Sequence, residues 1–214
     1  MNKRPVLYSF RRCPFAISAR IALFLSGIKI ELREVLLRDK PEEMLKLSSK
    51  ATVPILLLPN GDVIDESLEI MSWALLQNDP LKLLDLTHIQ ESIGNDISQG
   101  ISSLNTNIRK YKFIDQNKKV NLEQLEKPLI DCLSKYNELL MTQKYLVCDQ
   151  IKIYDYVLFP FIRQIISHNR NLLDVRHFDS LFSWHDNIIN SNNFKLVMPK
   201  YKIWEKYSQP IYFP

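Results

Sequence analysis

The chain has 214 residues, 46% of them hydrophobic and 24% charged. That composition excludes disorder as the main state and suffices for one or two cored domains. A formal net charge of +4 is too small to argue for nucleic acid or a membrane surface as partner. The four glycines make no phosphate cradle, and three cysteines, Cys13, Cys132 and Cys148, cannot pair off as in a disulfide-stapled secreted domain. No run approaches the roughly 18 apolar residues of a membrane helix. The basic start, Met1 to Arg4, leads into an alternating segment instead of the apolar stretch of a secretory leader. The expected place is the cytoplasm, where thiols stay reduced.

Residues 1–80 alternate strand and helix signals. Val6 to Phe10 reads as a strand, and Pro14 opens a helix, where a missing N–H does no harm. Ile17, Ile21, Phe24 and Ile28 give that helix an apolar face, and Gly27 stands where a C-terminal cap belongs. Ile28 to Leu37 reads as a second strand, and a second helix starts at Asp39-Lys40-Pro41-Glu42 and runs to about Leu47. Thr52 to Leu58 is a third strand, Pro59-Asn60-Gly61-Asp62 a hairpin turn, and Val63-Ile64 a fourth strand. Ser67 to Leu76 is a third helix with Leu68, Met71 and Leu75 on one face. The order β-α-β-α-β-β-α mixes a parallel crossover with a terminal hairpin.

After Asn78-Asp79-Pro80 the strand signals stop. Ile89, Ile93, Ile97, Ile101, Leu104 and Ile108 predict a long helix from about Leu86 to Lys110. Leu122 to Tyr136 predicts another, kinked at Pro128, and Ile153 to Ser167 a very apolar third. Phe178 to Ile188 marks a fourth; a short helix near Asn193 to Met198 and an irregular aromatic tail finish the chain. The fold class read from this is a small α/β domain followed by an all-α one, divided as 1–78, a linker 79–84, and 85–214.

Cys13 carries the most chemistry. It ends a strand-to-helix turn, so its sulfur is expected to face the N–H groups of the first helical turn, whose dipole favours a thiolate. Arg11 and Arg12 add positive potential. Cysteines so placed titrate at roughly 3.5–7.5, against about 8.5 when free, and the thiolate is the nucleophile. Position 16 is Ala, so no resolving thiol lies one turn on, and a mixed disulfide at Cys13 needs an outside thiol to release it. Cys132 and Cys148 read as core or surface residues. The four histidines, His88, His168, His177 and His185, are not spaced as metal ligands, and no metal is expected.

Cys13-Pro14-Phe15-Ala16, Thr52-Val53-Pro54-Ile55 and Asp65-Glu66-Ser67, in this order, resemble the glutathione transferase superfamily. The cysteine-type branch fits best: omega-like transferases, with glutaredoxin 2-like proteins as near relatives. Leu7 to Pro14 also resembles a group of bacterial transferase-like proteins, and the likeness extends through Phe159 to Gln164 and Lys200 to Trp204. It implies a thioredoxin-like glutathione-binding domain before an all-α domain, glutathione as co-substrate, and a homodimer. Val53-Pro54 matches the family's cis-proline turn, where the Val53 backbone pairs with the cysteinyl part of glutathione. Glu66 and Ser67 match the groups that hold the γ-glutamyl end: the acid takes the ammonium, while the serine and helix N–H groups take the carboxylate. The same residues also make an ordinary helix cap. Lys40 matches a lysine reaching the glycyl end, and Phe15 joins the glutathione-binding set. An electrophile pocket is expected between the domains, with Phe10, Phe15, Tyr111 and Trp184 as candidate walls by analogy.

The function so implied is thiol transfer, deglutathionylation or dehydroascorbate reduction through a mixed disulfide at Cys13, acting on glutathione and a disulfide or small electrophile. One alternative is conjugation of glutathione to an electrophile, with Tyr8 or the helix dipole steadying the thiolate. Another is a non-catalytic binding or regulatory protein on the same fold. One departure stands out: the family's capping box at the central helix of the second domain keeps its Asp at Asp155, but Lys152 occupies the cap position and has no side-chain acceptor.

Overall fold

The computed structural model describes residues 4–114, 121–173 and 178–214; His177 lies outside them. The chain divides into two compact units, one made of residues 1–83 and 191–214, the other of residues 84–190.

In the first unit β1 (Val6–Ser9), α1 (Pro14–Ser26), β2 (Ile30–Glu34), α2 (Glu42–Leu45), β3 (Ile55–Leu57), β4 (Val63–Ile64) and α3 (Ser67–Gln77) follow in the predicted order. With a last strand β5 (Tyr212–Phe213), the strands lie as β4-β3-β1-β2-β5, with β1 parallel to β2 and the other pairs antiparallel. Apolar residues alternate along β2, burying Ile30 and Leu32, while β1 buries Leu7, Tyr8 and Ser9 in succession, as a central strand does. Pro14 starts α1, and Gly27 ends it in the left-handed conformation at φ 72°, where a side chain is strained. The second helix is shorter than the sequence suggests. Pro41 is its cap residue, with extended backbone, and a residue before proline is steered out of the helical region, so Lys40 stays in the loop.

The C-terminal segment departs from the sequence reading, which grouped it with the helices. After α8 (Asn192–Val197) it lies along the first unit and ends as β5 (Tyr212–Phe213), paired with β2 through Ile30–Phe213 and Glu31–Tyr212. Ile211-Tyr212-Phe213 is a strand-forming run between two prolines. The segment also covers α1: Val197 accepts a hydrogen bond from Arg20 Nη2 at 2.5 Å, and the Tyr201 and Phe213 rings flank that guanidinium. Helix α1 is therefore buried nearly all round instead of along one stripe.

The second unit holds α4 (His88–Lys112), α5 (Leu122–Thr142), α6 (Ile153–His168) and α7 (Asp179–Ile189). Thr87 caps α4 in a reciprocal box with Gln90. Helix α6 is the centre, with Leu158, Phe159, Phe161 and Ile162 at most 1% exposed. Its Asp155 carboxylate accepts the Lys152 N–H at 2.8 Å, the Leu146 N–H at 3.0 Å and the Trp184 Nε1–H at 2.8 Å. The half of the capping box that Asp155 supplies is thus present, whereas Lys152 makes no side-chain cap. Among the described residues no helix is long and apolar enough to cross a membrane.

Candidate functional site

Strand register brings the predicted residues to one edge of the first unit. Tyr8 near the end of β1 pairs with Ile55 at the start of β3, and Leu56 pairs with Ile64 at the end of β4. The loop after β1, the turn before β3 and the start of α3 therefore meet. The β3–β4 pairing ends at Leu56–Ile64, so Asp65 and Glu66 follow β4 directly after its last paired residue.

Cys13 is the cap residue of α1, with extended backbone, and Pro14 takes the first helical position. The turn is fixed by Cys13 N–H donating to the Phe10 carbonyl at 2.9 Å and Ile17 N–H donating to the Cys13 carbonyl at 2.9 Å. Half-buried and in no disulfide, Cys13 donates its thiol hydrogen to the Val53 carbonyl with Sγ 3.6 Å away. That bond suits the neutral thiol. A thiolate has to turn from the Val53 oxygen toward the N-terminus of α1, where the dipole favours it. Val53 is buried and joined to Pro54 by a cis peptide bond, as the sequence leads one to expect. Phe15 sits half-buried in the first turn of α1, and Lys40 is half-exposed in the loop before α2.

The two arginines before Cys13 are otherwise engaged. Arg11 gives its backbone N–H to Glu34 Oε1 at 2.6 Å and its Nε–H to the Met198 carbonyl at 2.9 Å, while Arg12 lies over the Phe10 ring. Glu34 is 4% exposed. Burial pushes its carboxyl up, against the Arg11 N–H and the Arg20 charge, whose Nη1 is 3.7 Å from Oε2.

Glu66 is the cap residue of α3 and Ser67 its first helical residue, yet Glu66 makes no side-chain cap. Its carboxylate instead pairs with Lys50, whose Nζ also lies 3.0 Å from Asp65 Oδ1. Asp65 Oδ2 accepts the Ser48 hydroxyl at 2.5 Å, and Ser48 Oγ accepts the Lys50 N–H at 3.2 Å. The Ser48 hydroxyl, then Lys50, hold the Asp65 carboxyl below its usual range; Glu66, then Asp65, hold the Lys50 ammonium above its own. Sequence reasoning missed Lys50. Its only signal is the hairpin register, which returns Asp65 and Glu66 to the turn before β3.

Tyr8 is 1% exposed and its hydroxyl accepts a hydrogen bond from Arg33 at 2.6 Å. Burial raises its pKa, with Arg33 opposing. Two of the suggested pocket walls are core residues of the second unit: Trp184 is 1% exposed and bonded to Asp155, and Tyr111 is 7% exposed with its hydroxyl taking the Asn169 side-chain N–H at 2.8 Å. Large aromatics at helical spacing fill cores first, which removes Trp184 as a wall. Cys148 donates to the Gln150 carbonyl, and burial raises the Cys132 thiol. Among the described residues no group of three His, Cys, Asp or Glu side chains is gathered as a metal would need.

Comparison with known proteins bears on family and fold. The family profiles for the N-terminal and C-terminal domains of glutathione S-transferase match residues 7–82 and 103–196. A probable maleylacetoacetate isomerase of Caenorhabditis elegans is 30% identical over 187 residues, covering 81% of this chain and 83% of that one. Glutathione S-transferase unclassified 2 from Bombyx mori superposes with a TM-score of 0.78 at 22% identity, over 92% of this chain and 94% of the other. A glutathione S-transferase of Methylobacillus flagellatus with glutathione bound gives 0.77 at 16% identity, over 92% and 100%. At those identities the structural likeness is one of fold. With both domain profiles matched in sequence along most of its length, the chain belongs to the glutathione S-transferase family.

Proposed function

We propose that the protein is a glutathione-dependent thiol transferase whose nucleophile is Cys13. The observation that carries this reading is the Cys13 sulfur at the start of α1, 3.6 Å from the carbonyl of Val53 in the cis Val53-Pro54 turn. An extended peptide that pairs with the Val53 backbone brings its own sulfur beside that thiol. Phe15, Lys40, Pro54, Glu66 and Ser67 complete the glutathione seat, with the ligand's carboxylate at the N-terminus of α3.

In the reaction the Cys13 thiolate attacks the glutathionyl sulfur of a mixed disulfide. A Cys13–glutathione disulfide forms, and the substrate thiolate leaves and takes a proton. A second glutathione thiolate attacks the bound glutathionyl sulfur, releases oxidised glutathione and restores Cys13. No resolving thiol stands at position 16, so the outside thiol is required. A cytoplasmic, thiol-reducing setting and a homodimer belong to the same reading.

The test is glutathione-dependent reduction of a glutathionylated small thiol by wild type, Cys13→Ser and Cys13→Ala. Loss of activity in both variants, with glutathione binding kept, is expected. Equal activity in all three overturns the assignment. A second reading rests on the 30% identical relative, whose name is that of a maleylacetoacetate isomerase: glutathione adds to a conjugated cis-alkene and leaves again after rotation. That reading has isomerase turnover surviving Cys13→Ala. A non-catalytic binding role predicts inert wild type that still binds glutathione.

A further inference from the structure

The carboxylate assigned to the ligand's ammonium, Glu66, is already occupied, and its neighbour Asp65 with it. Lys50 places one ammonium on both Asp65 and Glu66, and Asp65 is further tied to Ser48. Lys50 reaches them from the turn before β3. There Ala51 N–H donates to the Ser48 carbonyl at 3.2 Å, and Ala51 takes a left-handed φ of 50°. The lysine and glutamate side chains are about half exposed, at 48% and 56%, so the pair opens to water on both sides. A surface ion pair of this kind is weak and exchangeable.

We propose that the Lys50 ammonium is a built-in stand-in for the α-ammonium of the γ-glutamyl group, held on Asp65 and Glu66 until ligand displaces it. This rests on the glutathione reading of Glu66 and Ser67 given above and adds a residue that sets selectivity there. Two consequences follow from charge alone. Without ligand, Lys50 offsets one of two neighbouring negative charges that would otherwise repel across the turn. With ligand, the incoming ammonium must match what Lys50 gives up. A ligand lacking the ammonium leaves Lys50 in place and gains nothing from the two carboxylates. Lys50 therefore lowers affinity for every ligand that uses this ammonium contact, and it does so without touching the sulfur end.

Calorimetric titration with S-methylglutathione tests this, because the thioether cannot exchange with Cys13. Wild type, Lys50→Met and Lys50→Arg are compared, and N-acetyl-S-methylglutathione serves as the probe without an ammonium. Lys50→Met is expected to bind S-methylglutathione about two- to fivefold more tightly, to leave the N-acetyl probe unchanged, and to show a steeper loss of affinity with added salt. Lys50→Arg, which keeps the cation, should stay within twofold of wild type. Equal or weaker binding of S-methylglutathione by Lys50→Met, or the same gain for both probes, overturns the stand-in role and leaves the glutathione reading intact. Absence of binding to wild type and Lys50→Met alike overturns both.

Discussion

Among the described residues each unit buries one carboxylate, and the two do so in opposite ways. Asp155 in the helical unit is 0% exposed and held by three neutral N–H donors. Glu34 in the sheet unit has one N–H on Oε1, and its other oxygen faces the buried Arg20 guanidinium at 3.7 Å with no hydrogen bond among the described residues. Neutral donors fix direction and join the loop before α6 to Trp184 of α7. A buried cation fixes charge and ties α1 to β2, with the C-terminal segment closing over both. In the helical unit the polar centre organises the packing of α6 against Trp184; in the sheet unit it steadies the Arg11 backbone two residues before Cys13.

Breaking the centres separates the two designs. Asp155→Ala strands three buried N–H groups and is expected to destabilise the protein by about 3–5 kcal/mol in urea unfolding, with Trp184 fluorescence reporting the loss. Arg20→Met leaves Glu34 buried without its cation and should cost about 3 kcal/mol at neutral pH. Since burial already raises the Glu34 carboxyl, this second cost should shrink in acid, where Glu34 takes up a proton. A cost that stays constant with pH would show that Arg20 acts through packing against Tyr201 and Phe213.

The acid side also sharpens Asp155. Burial outweighs its three donors and pushes the carboxyl up to about 6, from an ordinary 3.8. The folded chain thus keeps a proton that the unfolded chain has released, so this group's contribution is full below about pH 4 and is lost as pH rises through about 6. Asp155→Asn removes that titration. The advantage of wild type over Asp155→Asn should narrow by roughly 2–3 kcal/mol between pH 4 and 7, read from urea midpoints. A widening gap over that interval would mean that the N–H donors win.

Much of this was legible in the sequence, and what was not has a physical reason. Pro14, Gly27 and the Asn60-Gly61 turn are local signals whose consequence is local, and each stands where expected. Cys13 was readable from its place between a strand and a helix, and Val53-Pro54 from the family resemblance; the structure joins them through the Cys13 thiol and the Val53 carbonyl. Arg20 sits on an amphipathic pattern where arginine normally points to water, and only the returning C-terminal segment, over 170 residues away, explains its burial. Lys50 was hidden for the same reason: a surface lysine has no period, and its partners come from a hairpin register. Trp184 was offered as a wall by analogy only, and its helical spacing is that of a core aromatic, which it is.

Gly94 of α4 extends the comparison to packing. A methyl group there would lie 1.9 Å from the Tyr154 ring of α6. Gly94→Ala should therefore destabilise by about 1–3 kcal/mol, despite the ~1 kcal/mol gain in helix propensity. Measured in a Tyr154→Ala background, Gly94→Ala should cost less than it does in wild type; an unchanged cost would place the fault elsewhere.

The smallest effect belongs to the sheet unit and has the opposite sign. Ala51 holds φ 50° beside Lys50, a conformation in which its Cβ crowds the following carbonyl. Glycine adopts it without that crowding but brings a more flexible unfolded chain. Strain relief and chain entropy partly cancel, so Ala51→Gly should stabilise by no more than about 1 kcal/mol. The useful readout is the comparison of its urea midpoint with its affinity for S-methylglutathione. Gain in stability with unchanged affinity means that the turn is held by its own hydrogen bonds. Gain in stability with tighter binding means that the strained turn aims Lys50 at Asp65 and Glu66, and that loosening it frees those carboxylates for ligand.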